Sequence, residues 1–208
     1  MEARNSACII NTKKELNEAM GKMTAALSRA FFADPFYSYI MPKEQKRLSQ
    51  LQWWMRILLK YGFKNGRIYV APGCIGAAIW FGPDKPTLNN FKLALSGLIF
   101  CPIKIGIKNC GRMLGISNEW EKIHKKQNKR HYYLMVIGVE PELQRKGIGG
   151  LLLKDILARA DNEKLDCHLE TMTAKNVMFY ERHGFKTIFN QTIKNGEQYW
   201  IMKRIPKN

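Results

Sequence analysis

Residues 131–150 read HYYLMVIGVEPELQRKGIGG, and this stretch decides the fold. His131 to Val139 is a near-continuous β-branched and aromatic run, the pattern of a strand buried on both faces. Glu140-Pro141 punctuates it, and a helix is expected from Gly147 to Lys164. A glycine-rich turn between a strand and a helix suits an anionic group such as a pyrophosphate. Backbone N–H groups converge there at the positive end of the helix dipole. Gly147, Gly149 and Gly150 let a ligand approach the chain, and Arg145 and Lys146 add positive charge. Nucleotide and dinucleotide binders share such turns, but neither a GxxxxGKS/T loop nor GxGxxG spacing is present.

Downstream, Asp166 to Met172 reads as a strand and Ala174 to His183 as a helix that stops at Gly184. Phe185 to Ile193 and Gln198 to Ile205 read as strands joined through Asn195-Gly196, a preferred hairpin dipeptide. The second half is thus β-α-β-α-β-β. Upstream, Cys8 to Asn11 is β-compatible. Thr12 and Glu15 have the spacing of a capping box, so a first helix runs to about Phe32, where Asp34-Pro35 ends it. Lys43 to Lys64 places Leu48, Leu51, Trp54, Met55, Leu58 and Leu59 on one helical face. Arg67 to Ala71 and Cys74 to Phe81 form a hairpin across Pro72-Gly73, closed by Pro83 and Pro86. Residues 87–128 hold two or three helices broken by Pro102, Gly106, Gly111 and Gly115.

The 208 residues suffice for one globular domain with a normal core, a mixed α/β fold. The N-terminus carries charges throughout and lacks the apolar stretch of a secretory signal, so a cytoplasmic location is expected. Leu93 to Ile107, interrupted by Pro102 and Lys104, is too short to span a bilayer, and no membrane partner is expected. The five cysteines (Cys8, Cys74, Cys101, Cys110 and Cys167) contain no CxxC pair and signal neither a disulfide framework nor a metal. The net charge of +17 is concentrated between Lys85 and Arg130, where ten lysines and arginines face only Glu119 and Glu121. Such a run is a solvated basic face or a polyanion site; nucleic acid is the less favoured partner.

Gln144-Arg145-Lys146-Gly147-Ile148-Gly149 matches the Q/R-x-x-G-x-G/A cofactor loop of the GNAT N-acetyltransferases. His168-Leu-Glu170-Thr171, Asn176 and Phe179-Tyr180-Glu181-Arg182-His183-Gly184-Phe185 are similar to that superfamily's second half. Ala30 to Pro35, Ala77 to Trp80 and Leu169 to Thr171 extend the resemblance to puromycin N-acetyltransferase-like members, thinning between Pro86 and Lys129. The resemblance implies a GNAT fold, a mainly antiparallel sheet of about seven strands with helices on both faces, splayed between the strand ending at Val139 and the strand 166–172. Residues 1–130 would form the acceptor side and 131–208 the acetyl-CoA side of a single domain.

It further implies acetyl-CoA as cosubstrate, held by Ile137, Gly138, Val139, Gln144 to Gly150, Asn176 and Tyr180. The Val139 N–H would polarise the thioester, and Tyr180 would protonate the leaving thiolate or, alternatively, merely fill the gap between helix and sheet. Asn176 is a helix cap or a cofactor contact. Glu170 is the candidate base or substrate anchor, or else a structural salt bridge; Glu140 competes with it. Among the aromatics, Tyr37 and Trp80 are the candidate pocket residues. His131 suits a surface position better than the acceptor cleft, and His183 a helix C-terminus. The acceptor would be a small-molecule primary amine, attacked directly in a ternary complex by a monomer or homodimer. Peptide acceptors or a non-catalytic CoA- or polyanion-binding module are the alternatives.

Overall fold

The structure, a computed structural model, describes residues 6–84, 90–125, 130–193 and 196–207. Lys85, Pro86, Lys126, Lys129 and Asn195, used in the sequence reading, lie outside the described residues. The chain opens with β1 (Cys8–Ile9) and α1 (Lys13–Ala30), whose capping box forms as expected. The Glu15 N–H donates to Thr12 Oγ1 (3.2 Å) and the Thr12 N–H to Glu15 Oε2 (3.0 Å). Asp34-Pro35 ends α1 but also starts α2 (Pro35–Ile40), a helix the sequence reading did not anticipate. Asp34 is its N-cap and Pro35 its first residue, a position that needs no N–H.

α3 (Glu44–Asn65) buries Leu51, Trp54, Met55, Leu58 and Leu59 but leaves Leu48 exposed near the helix start. β2 (Arg67–Val70) and β3 (Gly76–Phe81) form the expected hairpin. Three helices follow, α4 (Asn90–Leu95), α5 (Cys101–Ile105) and α6 (Ile107–Lys125). The second half runs β4 (His131–Val139), α7 (Ile148–Asn162), β5 (Asp166–Thr171), α8 (Ala174–Glu181), β6 (Phe185–Thr192) and β7 (Gln198–Arg204). Gly184, at φ +86°, ends α8 in the left-handed conformation that favours glycine.

All seven strands join one sheet in the order β1-β2-β3-β4-β5-β7-β6. β4 and β5 pair in parallel, and every other neighbouring pair is antiparallel. The parallel pairing extends only from His131↔Asp166 to Leu134↔Leu169. Beyond it β4 stays with β3 as far as Gly76↔Val139, and β5 stays with β7 as far as Thr171↔Trp200. The sheet therefore opens into two halves at its centre. A bulge at Met135, where Trp80 pairs Leu134 and Ile79 pairs Val136, adds local twist where β4 leaves β5.

Two cores sandwich the sheet. Met23, Leu27, Leu51, Met55 and Leu58 of α1 and α3 cover Ile79, Phe81 and Val136 on one face. Leu152, Leu153 and Ile156 of α7 cover Trp80, Leu134, Leu169 and Met202 on the other. Gly138 lets α1 cross β4, since a Cβ there would lie 2.8 Å from Leu27 and 3.1 Å from Ala30. Arg204, only 3% exposed, binds Asp161 through both guanidinium nitrogens (2.7 and 2.6 Å) and donates Nε to the His183 carbonyl (3.1 Å). This clamp fixes β7 against the ends of α7 and α8.

Candidate active site

The site is built at the opened end of the sheet. The Glu140 N–H donates to the Ile75 carbonyl (2.8 Å), toward β3. Backbone groups of adjacent strand residues point in opposite directions, so Val139, and two residues earlier Ile137, direct theirs into the opening. Val139 O there accepts Gln144 Nε2 (3.0 Å), which ties the following loop to the strand end. Gly138 points the other way and serves the packing of α1.

A 3₁₀ turn at Pro141–Leu143 leads into that loop, which turns twice through left-handed conformations, at Arg145 (φ +62°) and Gly147 (φ +82°). It then enters α7, whose first internal bond is Leu151 N–H to Gly147 O (3.0 Å). The amides of Ile148, Gly149 and Gly150 precede it and have no partner within the helix. Gln144, Arg145, Lys146 and Gly147 are exposed, and nothing lies within 4 Å of a Cβ built on Gly147. A pyrophosphate fits this donor set. The other two glycines have a different reason: a Cβ on Gly149 would lie 3.0 Å from the Phe179 ring, and one on Gly150 3.1 Å from His183 Nε2. They let α8 pack against α7, a reason for these two glycines that the sequence reading did not give.

Asn176 is not the cap of α8, since that position belongs to Thr173. It lies one turn in, and its amide donates to Thr171 Oγ1 (3.3 Å) at the free end of β5. Tyr180 is 5% exposed between Phe179 and Phe185. Burial, with the nearby Asp34 charge, pushes its hydroxyl well above the usual tyrosine range.

Asp34 is the residue that sequence reasoning missed. Its carboxylate accepts the N–H groups of Phe36 (3.0 Å) and Tyr37 (3.4 Å) and lies 3.5 Å from the Thr173 hydroxyl across the opening. Burial raises its pKa to about 6 against the lowering effect of those bonds. Asp34 approaches from the α1 face and Tyr180 from the α7–α8 face, near enough for the Asp34 charge to be felt at the Tyr180 hydroxyl. The only sequence signal was the dipeptide Asp34-Pro35, which reads as a helix boundary.

Glu170 accepts the Tyr133 hydroxyl (2.7 Å), and Tyr133 also feels Tyr37, whose hydroxyl takes the Trp54 indole N–H (3.3 Å). Tyr37 thus belongs to the cluster of Tyr133 and Glu170, largely buried. Phe36 packs on Trp120, and Trp120 on Tyr199, beside it. Trp80 does not belong. It is 1% exposed on the α7 face, paired with Leu134 where β4 and β5 are still joined. The cavity of about 320 Å³ that it lines, with Arg67, Asp84, Tyr132 and Arg159, is at the opposite end of β4. Glu140 is withdrawn from base chemistry by a two-point ion pair with Arg29 of α1. His131 is neither at the surface nor in the cleft: it is buried against His168, with ring centroids 4.3 Å apart. His183 sits after α8 as expected, with Nδ1 2.9 Å from the Phe179 carbonyl.

Residues 122–205 match the family model described as an acetyltransferase (GNAT) domain. Similar solved structures include a Corynebacterium glutamicum protein described as histone acetyltransferase HPA2 and related acetyltransferase (17% identity, 98% of each chain, TM-score 0.64). Others are arylalkylamine N-acetyltransferase 2 of Aedes aegypti (14% identity, 98% of this chain and 100% of that one, TM-score 0.56) and an agmatine N-acetyltransferase (12% identity, 96% and 99%, TM-score 0.55). These likenesses carry the fold, and the family match covers the loop, β5 and α8 where the site lies. Residues 122–205 thus match a GNAT acetyltransferase domain, and the chain as a whole has the fold of these acetyltransferases.

Proposed function

We propose that the protein transfers the acetyl group of acetyl-CoA to a small-molecule primary amine by direct attack in a ternary complex. The observation that carries this reading is the opening between β4 and β5, with the Asp34 carboxylate 3.5 Å from the Thr173 hydroxyl across it and the donor-rich start of α7 beside it. The amides of residues 148–150, with Arg145 and Lys146, would hold the pyrophosphate. Asn176, close to the end of β5, would contact the arm of the cosubstrate. The Val139 N–H would donate to the thioester oxygen and stabilise the charge that develops there.

A carboxylate with a pKa near 6 is ionised at neutral pH and can take the proton that a primary ammonium must lose. Asp34 is therefore the assigned base, with Glu170 and Tyr133 anchoring the acceptor. Nitrogen bonds to the acyl carbon, the carbon–sulfur bond breaks, and the Tyr180 hydroxyl gives its proton to the departing thiolate; the nitrogen sheds its second proton as the amide forms, and that proton, passed through solvent, restores the tyrosine hydroxyl. No protein thioester is needed, and the buried cysteines are poor nucleophiles; burial pushes the Cys167 thiol up to about 12. The aromatic wall of Phe36, Trp120 and Tyr199, with two carboxylates on the same side, favours a compact cationic amine with an apolar body. The arylalkylamine and agmatine enzymes of the same fold act on amines of small size, which agrees with this choice.

The test is thiol release from acetyl-CoA across amino acids, polyamines, aminoglycosides, puromycin, arylalkylamines and a lysine peptide. Turnover on a small amine supports the reading. Turnover confined to the peptide would replace the acceptor class, and failure of acetyl-CoA to bind would overturn the site.

A further inference from the structure

Among the described residues, the four most exposed large hydrophobics lie in one segment, with Phe100 beside them. Leu95 (74% exposed), Ile99 (70%), Phe100 (55%), Ile103 (81%) and Ile107 (82%) fall within thirteen consecutive residues, from the end of α4 to the start of α6. Their exposure is built into the packing, because the same segment turns Leu93, Cys101, Ile105, Cys110 and Met113 into the core. Gln50 of α3 further holds α5 by donating Nε2 to the Lys104 carbonyl (2.9 Å). The segment is thus anchored on one side and apolar on the other, and an apolar patch of this kind marks an interaction surface.

The charge around it selects the partner. Residues 90–118 contain no aspartate or glutamate but four cations, of which Lys104 and Lys108 alternate with Ile103 and Ile107 in the exposed row. Aliphatic and aromatic side chains interleaved with lysines match a bilayer surface, where the apolar groups enter the acyl boundary and the ammonium groups meet anionic headgroups. An acidic protein would pair the lysines and leave the projecting isoleucines without an apolar counterpart. A second copy of this chain, at net charge +17, would set lysines against lysines. No helix among the described residues is long and apolar enough to cross a membrane, so the contact is peripheral.

We propose that the face carried by residues 95–107 docks the protein onto anionic membrane surfaces. The experiment is co-sedimentation of the full chain with vesicles of phosphatidylcholine alone and with about one-third phosphatidylglycerol, compared with the Ile103→Asp/Ile107→Asp variant. Both residues are more than four-fifths exposed, so the variant should keep its melting temperature. The expected result is binding to the anionic vesicles about tenfold or more above neutral ones, and its loss in the variant. Absence of binding to anionic vesicles overturns the proposal. So does binding that the variant retains, since adsorption would then come from net charge alone. A dimer of the wild-type chain that the variant dissolves, without vesicle binding, would give the face to a second copy instead.

Discussion

Asp34 and Tyr180 divide the work of proton transfer in the proposed mechanism, and their environments make that division testable. Tyr180→Phe removes a hydroxyl and little volume. It should lower kcat by about a hundredfold or more while leaving acetyl-CoA affinity nearly unchanged; equal losses in both would mean that the ring only packs. Asp34→Asn keeps an N-cap acceptor for α2 but removes the base. In the wild type, kcat/KM should rise with pH through about 6 as Asp34 loses its proton; the variant should be slow and lack that rise. The sign for stability is opposite. A carboxyl raised from its ordinary value near 4 is favoured protonated in the fold, so stability is lost as pH climbs through its folded value. Asp34→Asn should therefore melt at pH 7 no lower than the wild type, a combination that separates base from scaffold. Tyr180 was legible because it stands in a local pattern, Phe179 to Phe185. Asp34 was not, because what makes it more than a cap is a partner 139 residues away and a burial that no local pattern encodes.

At the level of helices and strands, local chemistry marked most boundaries: the Thr12 capping box, the break at Pro72-Gly73 and the stop at Gly184. It failed where one residue serves two elements, as with Asp34, and where a glycine's reason is a neighbouring helix. Gly149 and Gly150 sit in a loop motif, yet the space above them is filled by Phe179 and His183, which only the docking of α8 onto α7 reveals. The Arg204 clamp was equally invisible, because Asp161, His183 and Arg204 come from three elements. Arg204→Met should cost about 3 kcal/mol in denaturant titration, since it strands the Asp161 carboxylate and the His183 carbonyl. The arginine holds Asp161 below the usual carboxylate range. Its contribution is thus present above an ordinary carboxylate pKa and lost as pH falls through the depressed folded one. The gap in stability between wild type and Arg204→Met should narrow in strong acid.

For the whole molecule, the opening of the sheet between β4 and β5 agrees with what the resemblance carried by the second half of the chain implies, whereas the strand order β1-β2-β3-β4-β5-β7-β6 was not read from the sequence. The aromatic cluster proposed to receive the acceptor was less legible, since Phe36, Trp120 and Tyr199 come from distant segments that only the folded chain brings together. A cosubstrate that binds the folded chain alone adds stability by mass action. Acetyl-CoA at a hundredfold its Kd should contribute about 2.7 kcal/mol, and so raise Tm by roughly 5–10 °C for a domain of this size. NAD, which the loop spacing does not suit, should leave Tm unchanged.

The four-residue pairing of β4 with β5 leaves the ladder at the centre of the molecule unfinished. Among the described residues no strand pairs with β4 beyond Leu134 on its β5 side, where Ile137 and the Val139 N–H face the opening, so the protein carries two inner edges like those at the rim of a sheet. An extended ligand arm with amides of its own would serve as that missing strand, borrowed for one turnover and released after it. Amide hydrogen exchange at Ile137 should accordingly slow when acetyl-CoA is added, while the already paired amides of β3 stay as they were. With the arm bound in that way, a product that has lost only its acetyl group would still mend the sheet, and its departure would require the sheet to reopen.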